Sequence, residues 1–146
     1  MQPAYMTTRT HRRMTLVIVA AARLGGAGAR WPMENDVFCR AVKSLPDNPL
    51  ARSFTLYPGA AGSLSVDWDD LMRLALHAGL VSYLSPEYRS FVVNVSPRVV
   101  KAFVLREAIT PEEMAQAEEL WRAMAREGGG PELPEVLNQV VTTRGG

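Results

Sequence analysis

The chain has 146 residues, 47% of them hydrophobic and 21% charged, and its 16 Lys plus Arg against 15 Asp plus Glu leave a formal charge of +1. That length suits one domain with its own core, and the near-neutral balance excludes a wholly basic nucleic-acid coat protein and a highly charged disordered chain. A single cysteine, Cys39, excludes an internal disulfide framework and every multi-cysteine zinc site.

Residues 1–13 form a basic N-terminal arm with Arg9, His11, Arg12 and Arg13. An apolar run, Leu16 to Ala22, follows, and Ala27-Gly28-Ala29 has the form of a leader cleavage site. This arrangement is compatible with an export signal. Arg23 interrupts the stretch that such a signal keeps uncharged, and Leu16, Val19, Ala20 and Arg23 fall at helical spacing. The preferred reading is therefore a buried first helix over 14–24 in a cytoplasmic protein, with export as the alternative. No apolar run reaches the roughly 20 residues that a bilayer span needs.

Gly25-Gly26 ends that helix, where a left-handed cap is cheap for glycine. Pro32 suits the first turn of a second helix over 33–45, with Val37, Phe38, Ala41, Val42 and Leu45 on its apolar face. Pro46 to Pro49 stops it. Ser53 to Tyr57 alternates and predicts a short strand, and Pro58 to Ser63 predicts a loop. That loop is glycine-rich but lacks the Gly-Lys-Ser/Thr ending of a phosphate-binding loop.

Asp67 predicts the N-cap of a third helix, with Asp69 and Asp70 in its first turn and Leu71, Leu74, Ala75 and Ala78 as its buried stripe. After Gly79, Leu80 to Leu84 and Phe91 to Val95 read as a β-hairpin around Ser85-Pro86. Ser96-Pro97 opens a short helix over 97–107. Thr110-Pro111-Glu112-Glu113 is the clearest local signal: a capping threonine, a proline at the first helical position and a glutamate that closes a capping box. Met114, Ala117, Trp121 and Met124 share one face of the helix that follows, and Gly128 to Gly130 ends it at about residue 127. Residues 128–146 form a tail with one amphipathic turn at Val136, Leu137, Val140 and Val141.

The charges divide along this order. Residues 1–106 hold 13 Lys/Arg and 7 Asp/Glu, a net +6, whereas residues 107–135 set eight glutamates against Arg122 and Arg126, a net −6. Segments of opposite sign pair with each other or face different partners.

Helix, helix, strand, helix and hairpin is the order of a winged helix-turn-helix, and the stretch Asp67 to Val95 carries the resemblance. Its junction Leu76-His77-Ala78-Gly79-Leu80-Val81 looks like the end of the third helix running into the wing. The expected fold is therefore α+β and mostly helical: a winged-helix-like domain over 14–96 and a C-terminal helical extension over 97–127. The long connection at 46–66 departs from the compact family pattern. Winged helices either read DNA with the third helix or serve as protein-interaction modules. The resemblance is to the second kind, found in accessory subunits beside bacterial SMC-type or ABC-type ATPases.

A physical reason supports that choice. The first turn of a recognition helix must approach phosphates, and Asp67, Asp69 and Asp70 would be repelled by a duplex carrying a charge about every ~1.7 Å. The expected function is a non-enzymatic accessory subunit whose partners are other protein subunits, with a homo-oligomer also compatible. Met114, Trp121 and Met124, with the three aspartates, are its candidate interface. The alternative is a DNA-binding regulator using Arg9, Arg12, Arg13, Tyr88, Arg89, Arg98 and Lys101, since residues 88–106 are free of acids. The basic stretch would otherwise pair with the glutamates of 112–127. Neither His11, His77 nor Cys39 has neighbours at spacings that suit catalysis or metal binding, so no cofactor is expected.

Overall fold

The computed structural model describes residues 8–26, 28–59, 62–84 and 89–131. The elements run α1 (Thr8–Gly25), β1 (Arg30–Pro32), α2 (Asn35–Lys43), α3 (Pro49–Arg52), β2 (Tyr57–Gly59), β3 (Gly62–Leu64), α4 (Val66–His77), β4 (Val81–Tyr83), β5 (Ser90–Val93), α5 (Pro97–Arg106) and α6 (Pro111–Gly128). The chain is α+β and mostly helical, with two small antiparallel sheets. The amphipathic turn expected at Val136 to Val141 lies outside the described residues.

The run Leu16 to Ala21 is buried, and so are Met14 and Thr15. A helix apolar on all sides belongs inside a protein, and α1 packs against α4, α5 and α6. It begins at Thr8, so the stretch expected as a basic arm from residue 8 onward is the first two turns of this helix. No described helix is long and apolar enough to cross a membrane. At the other end, Gly26 takes φ +76, the left-handed cap expected there. Gly25 is fixed by space: a Cβ on it would stand 2.7 Å from the Trp31 ring.

The connection between α2 and α4 corrects the sequence expectation. Asn48 accepts from the Ala51 amide and caps the single turn α3, with Pro49 at its first position. Ser53 to Leu56 is not a strand; Phe54 turns inward and is buried. The strands start only at Tyr57 and run into the part expected to be a loop, where Tyr57 pairs with Leu64 and Gly59 with Gly62. Helix α4 begins one residue before Asp67, and its N-cap is Ser65, whose hydroxyl accepts from the Trp68 amide. Of its expected stripe, Leu71 and Ala75 are buried and Leu74 partly so, but Ala78 is exposed; Trp68 and Met72 complete the buried face.

The hairpin β4–β5 forms as expected, with Val81 opposite Val93 and Tyr83 opposite Phe91. Strand β1 pairs antiparallel with the other side of β5, Trp31 opposite Phe91, so the sheet order is β1-β5-β4. Three residues are too few for a readable alternation, so β1 leaves no periodic signal in the sequence.

All three tryptophans are fully buried. Phe38 stacks on Trp68 at 4.3 Å and 10°. Trp121 lies 5.8 Å from Trp68, 4.9 Å from Trp31 and 5.6 Å from Phe91. One chain of rings thus joins α2, α4 and α6 to the sheet. Because α6 supplies its centre, the expected division between 14–96 and 97–127 does not separate two cores.

Candidate functional site

Four features were expected to carry function: the acidic first turn of α4, the apolar face of α6, the N-terminal cations and the basic stretch 88–106. The structure separates them.

The α6 face is interior. Met114 is 3% exposed, and Trp121 and Met124 are 0% exposed. These three residues therefore do not form an interface with another protein, because α1, α2 and the sheet already cover them. The Trp121 indole donates to the Val17 carbonyl at 2.7 Å, which fixes the ring within the core.

The three aspartates of α4 differ in their tasks. The Asp67 carboxylate accepts from the Thr55 amide at 2.9 Å and faces Arg13 at 4.0 Å. Asp69 accepts from the Asn35 side-chain Nδ2 at 2.9 Å. Asp70 pairs with Arg73 at 2.9 Å, both side chains well exposed. Such an exposed i,i+3 pair stabilises little. Asp69 and Asp70 remain on the solvent face beside Arg73, Leu76 and His77.

Asn35 positions this turn, a role that sequence reasoning missed. Its side chain donates to the Ser65 carbonyl at 2.6 Å and accepts from the Ser65 amide at 2.7 Å. One amide group thereby imitates a strand partner and ties the start of α2 to the start of α4. The replacement Asn35→Ala leaves both Ser65 backbone groups without that partner. We expect it to cost about 1–3 kcal/mol in urea denaturation, and to accelerate amide exchange at Trp68 and Asp69.

Of the N-terminal cations expected to contact DNA in the alternative reading, Arg12 and Arg13 engage groups of the chain itself. Arg12 grips Glu113 with two nitrogens at 2.7 and 2.8 Å, and donates to the carbonyls of Glu107 at 3.0 Å and Ala108 at 3.1 Å. Arg13 stacks over Phe54 at 4.3 Å and donates to the Ser53 carbonyl. The side chain of Arg9 and all of Tyr88 lie outside the described residues. A shallow cleft of about 240 Å³ opens beside Arg12, Arg13, Leu50 and Ser53, but both of its guanidinium groups serve these internal contacts.

The opposite charges of the two segments do meet, through other cations than expected. The glutamates of α6 take Arg12 and Arg23 from α1 and Arg40 from α2, the last two at 3.2 Å from Glu118 and Glu127. Within the basic stretch, Arg89 lies 3.7 Å from Glu34, and Arg106 pairs with Glu107 while stacking on Phe103. Arg98 and Lys101 are exposed on α5 and carry no ion pair among the described residues.

No group of three or more His, Cys, Asp or Glu residues among the described ones is placed to hold a metal ion. Cys39 is buried, its thiol donating to the Asn35 side-chain oxygen at 3.4 Å, and burial pushes its pKa up, away from the reactive thiolate. No protein-family model, curated protein or solved structure matches the chain.

Proposed function

We propose that the chain is a non-enzymatic accessory subunit of a larger protein assembly, built on a winged-helix-like domain. The element order supports the winged-helix part. Helices α1, α2 and α4 and the hairpin β4–β5 keep the expected order, while the strand of the larger sheet, β1, lies before α2 and the connection to α4 adds α3 and the small hairpin β2–β3. The hairpin after α4 is part of the sheet β1-β5-β4, as a wing that runs straight on from the third helix requires.

One observation carries the functional part. The helix that a DNA reader would place in the major groove presents Asp69, in its first turn, and Asp70, just after it, to solvent. Like charge there opposes a phosphate backbone. The proposed compartment is the cytoplasm, because cleavage near Ala29 would strip out the helix on which α4, α5 and α6 pack.

The exposed pair Arg98 and Lys101, with Arg89 near the hairpin, supports the second reading, a DNA-binding regulator. A salt titration separates the two. The expected result is no binding to a fluorescent random duplex at 50 mM salt, and co-purification of the tagged chain from its own host in a stoichiometric complex. Duplex binding that falls steeply with salt would favour the regulator. A chain that elutes alone from native lysate would remove the subunit reading.

A further inference from the structure

The outer face of α5 is an open surface that is both apolar and basic. Of its ten residues only Val100 is buried, and Phe103 and Val104 rest partly on the core. Arg98, Lys101, Ala102 and Leu105 recur at three- and four-residue spacing on the opposite face, and all are exposed. Leu105 is 82% exposed, far above the other exposed large hydrophobic residues, of which Tyr57 is next at 50%. Arg106 is held at the margin by Glu107 and the Phe103 ring.

We infer that this face of α5 docks an acidic, amphipathic segment of another protein, with Leu105 and Ala102 at the centre of the contact and Arg98 and Lys101 on its rim. The inference rests on the subunit reading and names the chemistry of the partner. Charge complementarity sets the sign: residues 88–106 contain no Asp or Glu, and the cations Arg98 and Lys101 lie on the same face as the leucine, toward the start of the helix. An apolar centre with a charged rim is the usual anatomy of a protein–protein contact. Nucleic acid fits less well. Two unpaired cations give a weak counterion-release term, and a sugar–phosphate backbone would not reward burial of Leu105.

The test places a photo-crosslinking amino acid at Ala102 in the full chain, expressed in its own host, and maps the linked peptide by mass spectrometry. The expected product is one protein segment with a net negative charge and apolar residues at helical spacing. A synthetic peptide of that segment should bind the purified chain. Arg98→Glu with Lys101→Glu should weaken binding at least about tenfold, and Leu105→Ser by a similar factor. All variants lie on the solvent face, and circular dichroism checks that they fold. A basic segment, a second copy of this chain, a nucleic acid or no crosslink would each overturn the inference. If the variants still co-purify with the undiminished complex, the α5 docking site is wrong and the subunit reading stands; if the unmodified chain has no partner at all, the subunit reading itself fails.

Discussion

Replacing Trp121 by alanine is expected to destabilise the fold by about 3–5 kcal/mol, the range for deleting a buried aromatic residue. A domain of this size is stable by only about 5–15 kcal/mol, so the variant should sit near the edge of folding. The reason lies in its neighbours. The ring contacts Trp31, Trp68 and Phe91 from three elements, and its indole bonds the Val17 carbonyl of α1 at 2.7 Å.

Phenylalanine substitutions separate packing from hydrogen bonding. Trp121→Phe loses that bond, and Trp68→Phe loses the one its indole gives the Met33 carbonyl at 2.9 Å. Trp31 is different, because its buried indole nitrogen has no partner. Trp31→Phe removes an unsatisfied donor along with the ring, so it should cost less than Trp121→Phe by roughly 1 kcal/mol or more. Urea denaturation followed by far-ultraviolet circular dichroism measures the difference without relying on tryptophan fluorescence. Equal costs for the two would show that the indole bond to Val17 contributes nothing.

The second large effect belongs to Arg12 and Glu113. The Arg12 guanidinium holds the Glu113 carboxyl down to about 2 from an ordinary value of 4.5, aided by the Thr110 amide in the capping box. A carboxyl whose folded pKa lies below its unfolded one stabilises the fold fully above about 4.5 and loses that contribution as pH falls toward 2. The variant Glu113→Gln should therefore be less stable than the native chain at pH 7, by about 1–2 kcal/mol. The gap should close between pH 4.5 and 2. The lower part of the range for charged hydrogen bonds applies because both side chains are 31% exposed.

Arg12→Lys tests geometry against charge. Arg12 reaches two carboxylate oxygens and the carbonyls of Glu107 and Ala108, which close the turn between α5 and α6. An ammonium keeps the charge but lacks the planar fork. It should recover less than half of what Arg12→Met loses in the same denaturation experiment. Full recovery by lysine would mean that the turn needs only a nearby positive charge.

Some elements were legible because their signals are local. The capping box at Thr110 and Glu113 forms with both of its hydrogen bonds, and Ser96 caps α5 ahead of Pro97. The two strands after Gly79 pair where β-branched and aromatic residues cluster. The connection 46–66 misled because its turn and strands are too short for periodicity, and a single helical turn at Pro49 looks like part of a loop. Asp67 resembled a cap because aspartate favours that position, but Ser65 lies where the backbone is still extended.

The candidate site was less legible than the fold. The sequence by itself determined that α6 has one apolar face, that its acidic surface opposes a basic body, and that the first turn of α4 is acidic. It did not determine what covers each face. A stripe such as Met114, Trp121 and Met124 specifies burial without saying whether the chain or a partner supplies the cover. Likewise, a cation specifies attraction without naming its anion. Only the tertiary structure brought Arg12 to Glu113 across 101 positions and left Lys101 exposed on α5. Hydrophobic burial is non-directional and long-range pairing depends on how helices dock, so these choices are settled when α6 packs against α1 and α2.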